Sequence, residues 1–386
     1  MHRLALFYYI LILSLVVSCS RSSKPEMPEG DTIYPLEDTR VVDDLSDFVS
    51  EISILFIQDD TVGLSGTKKI LVGGDRYVFL SGGSVFAVDK QGSILGQYGA
   101  VGRGPGEYLN INDICFDQTY QAICCLTDDN AILQYSTINR DFRGRIETRL
   151  QPLSASAIIP MNTHRYGLYV SNPIGEESGK LNDFNCLKIV DSKGRIRDQI
   201  LPRLDFNLKA GFISLTSQQA DSSYYLAPES SSSPAVLFRK GAVEKEVFFD
   251  FGEKTVPFKY ALRGPSQDPW KNVGDIFDAD YYKMISSIYT VGSYFYFSAY
   301  GKDSEIWNFL LPDSKEKGVR WKSTGLLSPA MVALAVEEDS LIFLYEDYGY
   351  TEEIDEKDPI KKLVLQKYGL PKQKDNLVLV KVRFNE

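Results

Sequence analysis

Short apolar runs alternate with turn residues along most of this chain. Between residues 69 and 98, the runs KKILVGG, RYVFLSG, SVFAVD and SILGQY are separated by turns rich in Gly and Asp. Strands of this length with such turns predict an antiparallel meander. Val88 to Ile94 reads as its hairpin turn, with Asp89 bonding its own backbone and Gly92 taking the left-handed position. The unit recurs as NINDICFD, QAICCLTDD, AILQYS and DFRGRIETRL, then as SASAIIPM, RYGLYVSN, NCLKIVDS and RIRDQILP. The turn Val190 to Ile196 repeats the pattern of Val88 to Ile94, two units later. A fourth unit runs from GFISLTSQ to EKEVFFDFG and a fifth from MISSIYTVG to GVRWKSTG. Between them, residues 254–280 read as a long loop or insertion.

The sixth unit is one strand short. AMVALAVEED and SLIFLYED open it, a charged helical piece lies near KDPIKKLVLQKYG, and NLVLVKVRF ends it. The run EISILFIQ, residues 51–58, is a strand without a unit. Placed as the outer strand of the last unit, it closes a ring and removes an edge that would otherwise invite aggregation. The fold class expected is therefore all-β, a six-bladed propeller of four-stranded antiparallel blades closed by an N-terminal strand. A seven-blade count would need residues 254–280 to be a degenerate blade.

Composition supports a large β core. Of 386 residues, 44% are hydrophobic and 12% aromatic, and Tyr and Phe favour strands. The net charge of −10 argues against nucleic acid as a partner, since phosphate binding needs a basic stripe. Only two histidines are present, His2 and His164. Sites needing two or more histidines are thus excluded from the chain beyond the leader. His164 itself reads as a loop or strand-end residue.

Residues 1–18 carry Arg3 and the apolar run LALFYYILILSLVV, which suits a secretory signal and is short for a membrane span. The run ends Val16-Val17-Ser18-Cys19, which resembles the bacterial lipobox. The resemblance implies cleavage before Cys19 and a diacylglycerol on its thiol. Residues 19–48 then form an anchor and tether, and 49–386 the propeller. Ser20 stands where some inner-membrane lipoproteins carry Asp, so the resemblance implies the outer membrane; periplasmic face and cell surface both stay open. Cys115, Cys124, Cys125 and Cys186 remain. A tight turn at 117–122 would set Cys115 opposite Cys124, where a cross-strand disulfide is conceivable; buried free thiols are the favoured reading.

Phe86-Ala87-Val88-Asp89, Gly92, Gly99 and then Gly102-Arg103-Gly104-Pro105-Gly106-Glu107-Tyr108 resemble the signature of the six-bladed β-propeller lipoproteins of Bacteroidota. The ending from Asp375 to Val380 is also similar, with Leu377 where that family usually has Pro. The resemblance implies no general enzymatic activity. The glycine stretch lacks the Walker lysine and a following helix, so it reads as a blade-to-blade crossover and not a phosphate loop. In it Glu107 is expected to accept backbone N–H bonds or to pair with Arg103.

Trp270, Tyr281 and Tyr282 read as a possible exposed aromatic cluster able to stack on a sugar or peptide, with packing against the blade as the alternative. Asp128-Asp129-Asn130 and Asp59-Asp60 lack calcium-loop spacing and read as turns. The function expected is a binding or scaffold module for a protein, peptide or glycan, anchored to the membrane through lipid at Cys19, with no cofactor and no metal. The alternative is a lactonase- or lyase-like propeller enzyme whose central channel holds a metal on carboxylates such as Asp113.

Overall fold

The computed structural model describes residues 32–57, 64, 66–151, 153–161, 164–170, 185–202, 215–228, 230–231, 233–257, 275–276, 278–302, 305–313, 317–323, 332–345, 358–369 and 377–385. Six four-stranded antiparallel blades follow one another, and in blades 1 to 5 the strands run in chain order from the inside outwards. Blade 1 comprises Thr67–Gly73, Arg76–Ser81, Ser84–Asp89 and Ile94–Gln97. Blade 2 comprises Ile111–Asp117, Ala122–Thr127, Ile132–Ser136 and Phe142–Ile146. Blade 3 comprises Ala155–Met161, Arg165–Val170, Asn185–Asp191 and Ile196–Pro202. Blade 4 comprises Thr216–Gln218, Tyr224–Leu226, Ala235–Arg239 and Ala242–Asp250, and blade 5 comprises Ile285–Val291, Tyr294–Tyr300, Ile306–Pro312 and Val319–Ser323.

Blade 6 is assembled from both ends of the chain. Ala333–Glu337, Ser340–Tyr345 and Leu377–Phe384 are completed on the outside by Val49–Ile57. Register partners run from Leu377 with Ile57 to Phe384 with Val49. The innermost strand of each blade touches that of the next, and blade 6 touches blade 1, so the ring is closed. A helix, Pro359–Tyr368, lies between the second and third strands of blade 6, with Asp358 capping it through bonds from the Ile360 and Lys361 amides.

The repeated hairpin turn is as expected. Asp89 Oδ1 accepts from the amides of Gln91 and Ser93, at 2.9 and 2.8 Å. Asp191 Oδ1 does the same for Lys193 and Arg195. Both turns press on the outer edge of the preceding blade. A Cβ on Gly92 would lie 2.0 Å from the Phe56 carbonyl oxygen, and one on Gly194 would lie 1.7 Å from that of Glu147. The motif therefore serves blade-to-blade packing as well as the turn itself.

The described part of the tether takes part in the propeller. Thr32–Pro35 pairs in parallel with residues 247–250 on the outer edge of blade 4. Arg40–Val41 pairs in parallel with Val319 and Arg320 on blade 5. The physical reason is the open hydrogen-bonding edge of an outermost strand, which any nearby extended segment can satisfy. The ring's own contacts thus begin at residue 32, within the segment 19–48 expected to be a tether.

Candidate functional site

Among the described residues, the candidates from the sequence fall at the axis, at the glycine-rich crossover and in a cleft between blades 4 and 5. At the axis, Lys69 of blade 1 and Asp113 of blade 2 form an ion pair of 2.9 Å, with side chains 2% and 1% exposed. Lys69 Nζ also donates to the Ile114 carbonyl and to Thr216 Oγ1 of blade 4. The second Asp113 oxygen accepts from Thr216 Oγ1 at 2.8 Å and from the Ile158 amide of blade 3 at 3.0 Å. Four blades are thereby tied through one carboxylate. The cation beside Asp113 is an ammonium of the chain itself, so the metal-holding role weighed for Asp113 does not fit this geometry. Two buried charges persist in low dielectric only when paired and hydrogen-bonded, and these are both.

The crossover from blade 1 to blade 2 is a folded unit. Ala100–Val101 pairs in parallel with Glu107–Tyr108. Gly99 has φ +68°, and a Cβ there would sit 2.4 Å from Tyr135 Oη and 2.6 Å from the Gly106 carbonyl oxygen. Glu107 Oε2 accepts from the Gly104 amide at 2.6 Å, the first of the two roles expected of it. It also fills the space beside Gly102, where a Cβ would lie 2.1 Å away. Pro105 is exposed on the bend. Tyr108 is buried, donating to the Tyr98 carbonyl and accepting from Gln97. Tyr135 of blade 2 donates to the Gly106 carbonyl at 2.9 Å. The Glu107 bond closes the loop on itself, while Tyr135 reaches the motif from the next blade.

The third place is a cleft of about 480 Å³ where blades 4 and 5 meet. Tyr281 and Tyr282 both line it, beside Glu37, Glu253, Lys254 and Arg320. Tyr282 is 5% exposed and packs on Phe251 and Phe309, with ring centroids 4.6 and 5.5 Å apart. It is thus a floor of the cleft and not part of an exposed cluster, because its ring completes the core shared by the two blades. Tyr281 is half-buried. Trp270, the third residue of that expectation, lies outside the described residues. Burial raises the Tyr282 phenol pKa, and the Arg320 charge works against that rise. Arg320 was not singled out by sequence reasoning; the only signal was its place beside Trp321 in a strand whose alternate residues are buried.

Other residues weighed from the sequence have structural places. Asn130 sits at φ +67° and bonds Leu153 and Ala155, while Asp129 pairs with Arg145, so this run is a turn. Asp59 and Asp60 lie outside the described residues. His164 turns the chain at φ +64° and packs at a tilt against Tyr120, with ring centroids 4.6 Å apart. Cys115 and Cys124 are direct register partners, and both are buried free thiols. Burial pushes the Cys115 thiol well up, and its hydrogen bond with Cys124 adds to this.

Residues 38–313 match the family described as 6-bladed beta-propeller, DUF5128. The chain belongs to that family. The six blades counted above agree with the family's description. A crystal structure of a "putative exported protein" from Bacteroides fragilis is similar to this propeller, with a TM-score of 0.67 at 17% identity, over 92% of this chain and 100% of that one. BamB from Moraxella catarrhalis aligns with a TM-score of 0.34 at 13% identity, over 82% of this chain and 71% of that one, too low a likeness to carry an argument. No curated protein matches the sequence. Among the described residues of this DUF5128 propeller, no helix is long and apolar enough to cross a membrane.

Proposed function

We propose that this propeller is a cell-envelope binding module, lipid-anchored at the outer membrane through Cys19, that holds a ligand on the ring without transforming it. The supporting observation is a contrast within the ring. At the axis, the charges of Lys69 and Asp113 satisfy each other and their neighbours. In the cleft between blades 4 and 5, the exposed carboxylates of Glu37 and Glu253 have no ion-pair partner among the described residues. Groups paired within the protein hold the fold, and open polar groups around a concave cleft are what a ligand can engage. Anchoring rests on the sequence Val16-Val17-Ser18-Cys19 after an apolar leader. It also agrees with the fold. The chain between Cys19 and Thr32 is only a dozen or so residues, long enough to keep the ring within roughly 45 Å of the membrane.

Two measurements test the reading. Metabolic labelling with a fatty acid, followed by membrane fractionation, should place label and protein together, and Cys19→Ala should remove both. Continued membrane attachment of Cys19→Ala overturns the anchor. The anchored chain, used as bait on solubilised envelope, should retain a protein, peptide or glycan; turnover of a substrate by the purified chain would overturn the non-catalytic role.

A further inference from the structure

A second cavity, of about 290 Å³, lies at the end of the axis where hairpins between inner strands converge. Its lining comes from blades 1, 2, 4 and 6, and neither Lys69 nor Asp113 belongs to it. We propose that it receives a lysine or arginine side chain of a partner protein; this deepens the binding-module reading and rests on it. Three features point there together. First, part of the wall is apolar and open to a guest. Val72 and Phe116 line it and are half-buried, so both keep accessible surface. The alkyl stem of a long basic side chain covers such a wall, and a cation gains further from an aromatic face. Second, the rim offers open acceptors. Glu338 is exposed in the hairpin that joins the first two strands of blade 6, and it has no ion-pair partner among the described residues. Gln118 is exposed as well, and donates to Ser222 Oγ of blade 4, which leaves Gln118 Oε1 to accept. Third, among the described residues the lining holds no cation. Its charged members are Glu337 and Glu338, and Glu337 is already neutralised by Lys90 and Lys381, neither of which lines the cavity. Glu338 therefore leaves one negative charge unbalanced.

This pattern selects among guests. A carboxylate or phosphate would face Glu338 with no cation to receive it. An apolar side chain would cover Val72 and Phe116 but would strip water from the Glu338 carboxylate without replacing its hydrogen bonds. A basic side chain meets both demands. Its stem lies along Val72 and Phe116, and its ammonium or guanidinium donates to Glu338 and Gln118 in charge-assisted bonds. The volume of about 290 Å³ stands at the small end of ligand sites and suits one side chain better than an oligomer. The Gln118–Ser222 bond ties blade 2 to blade 4 at the rim, so the receiving wall is held in place before a guest arrives.

The test is calorimetric titration of the full chain in detergent with N-acetyl-lysine amide, N-acetyl-arginine amide and the neutral N-acetyl-norleucine amide. At least one basic probe should bind with a Kd of about 1 mM, the level that one charged contact and a short apolar stem supply. The norleucine probe should bind about tenfold more weakly or not at all. Glu338→Gln keeps the shape of an exposed side chain and removes its charge. It should weaken the basic probe about tenfold without moving the melting temperature. Glu338→Lys sets a fixed cation at the rim and should abolish binding. Absence of binding by both basic probes at about 10 mM, well above the expected Kd, overturns the inference. So does equal binding of the norleucine probe, or unchanged binding in either variant. If the anchored chain captures an envelope protein and Glu338→Lys captures it equally well, the inference falls and the binding-module reading stands. Membrane attachment of Cys19→Ala tests the anchor separately.

Discussion

Replacing Lys69 by Met tests whether the axis pair holds the ring together. The side chains of Lys69 and Asp113 are 2% and 1% exposed, so solvent screens them little. Lys69→Met leaves a buried carboxylate with the Ile158 amide and Thr216 hydroxyl as bonding partners but without its counter-charge. Breaking one partner of such a pair costs about 3–5 kcal/mol. Asp113→Leu leaves the ammonium buried and should cost a similar amount. The double variant Lys69→Met/Asp113→Leu removes both charges. It still strands the Ile158 amide, at about 1–3 kcal/mol. The two single costs should therefore not add, and a coupling of roughly 2 kcal/mol or more is expected. Urea unfolding followed by circular dichroism gives the four stabilities of the cycle. If each single variant costs under about 1 kcal/mol, as exposed pairs do, the axis network does not bind the blades together. If the costs add, the two charges do not act on each other.

Three further outcomes are expected. Gly99→Ala should cost several kcal/mol, because it combines a positive φ with a Cβ 2.6 Å from the Gly106 carbonyl oxygen. Gly82→Ala has a positive φ but open space, so it should cost only about 1–2 kcal/mol; equal melting shifts for the two would refute the packing role of the crossover. At Glu337, burial opposes ionisation, but bonds from Lys381, Lys90 and Tyr77 outweigh it and hold the carboxyl pKa down at about 2. Its folded pKa is below the unfolded one, so its stabilisation is present above about pH 4.5 and is lost as pH falls towards 2. Glu337→Gln should flatten the melting-temperature profile in that window, and a profile parallel to wild type would contradict the assignment. Removing residues 1–57 exposes Leu377–Phe384 as a long edge strand. Light scattering should report aggregation, relieved by a synthetic peptide of residues 49–57; a monomeric, cooperatively melting product would show that closure is dispensable.

The ring was readable in the sequence because its signals are local. Each blade is a meander with tight turns, and Asp89 and Asp191 announce the same turn a hundred residues apart. The closing strand was readable from an arithmetic remainder, one strand too many at one end and one too few at the other. Pairings that depend on distant partners were not readable. Lys69 reads as one more charge in KKILVGG, and only the ring brings it to Asp113, 44 positions away, and to Thr216, 147 positions away. Tyr282 follows a long polar insertion and looks exposed in the sequence; Phe309 from a different strand buries it. Arg320 carries no motif, and its open donor is visible only once Trp307 and Tyr282 are placed.

The N-terminal segment covers the outer edges of blades 4 and 5. The outer strand of blade 4 reads AVEKEVFFD, charged in its first half and apolar in its second. Thr32–Pro35 pairs only with residues 247–250, the apolar half. Charge alone does not decide the matter: the outer strand of blade 5, VRWKS, carries two charges and is still strapped by Arg40–Val41, while that of blade 1, ILGQ, carries none and has no strap among the described residues. Blade 2 ends on FRGRI and blade 3 on IRDQILP, whose arginines and aspartate discourage strand pairing. Pro35, lacking an amide hydrogen, ends the strap beside Asp250, and Leu36 then buries itself while Glu37 turns to the cleft. The same few residues that protect the edge of blade 4 therefore also form one wall of the cleft.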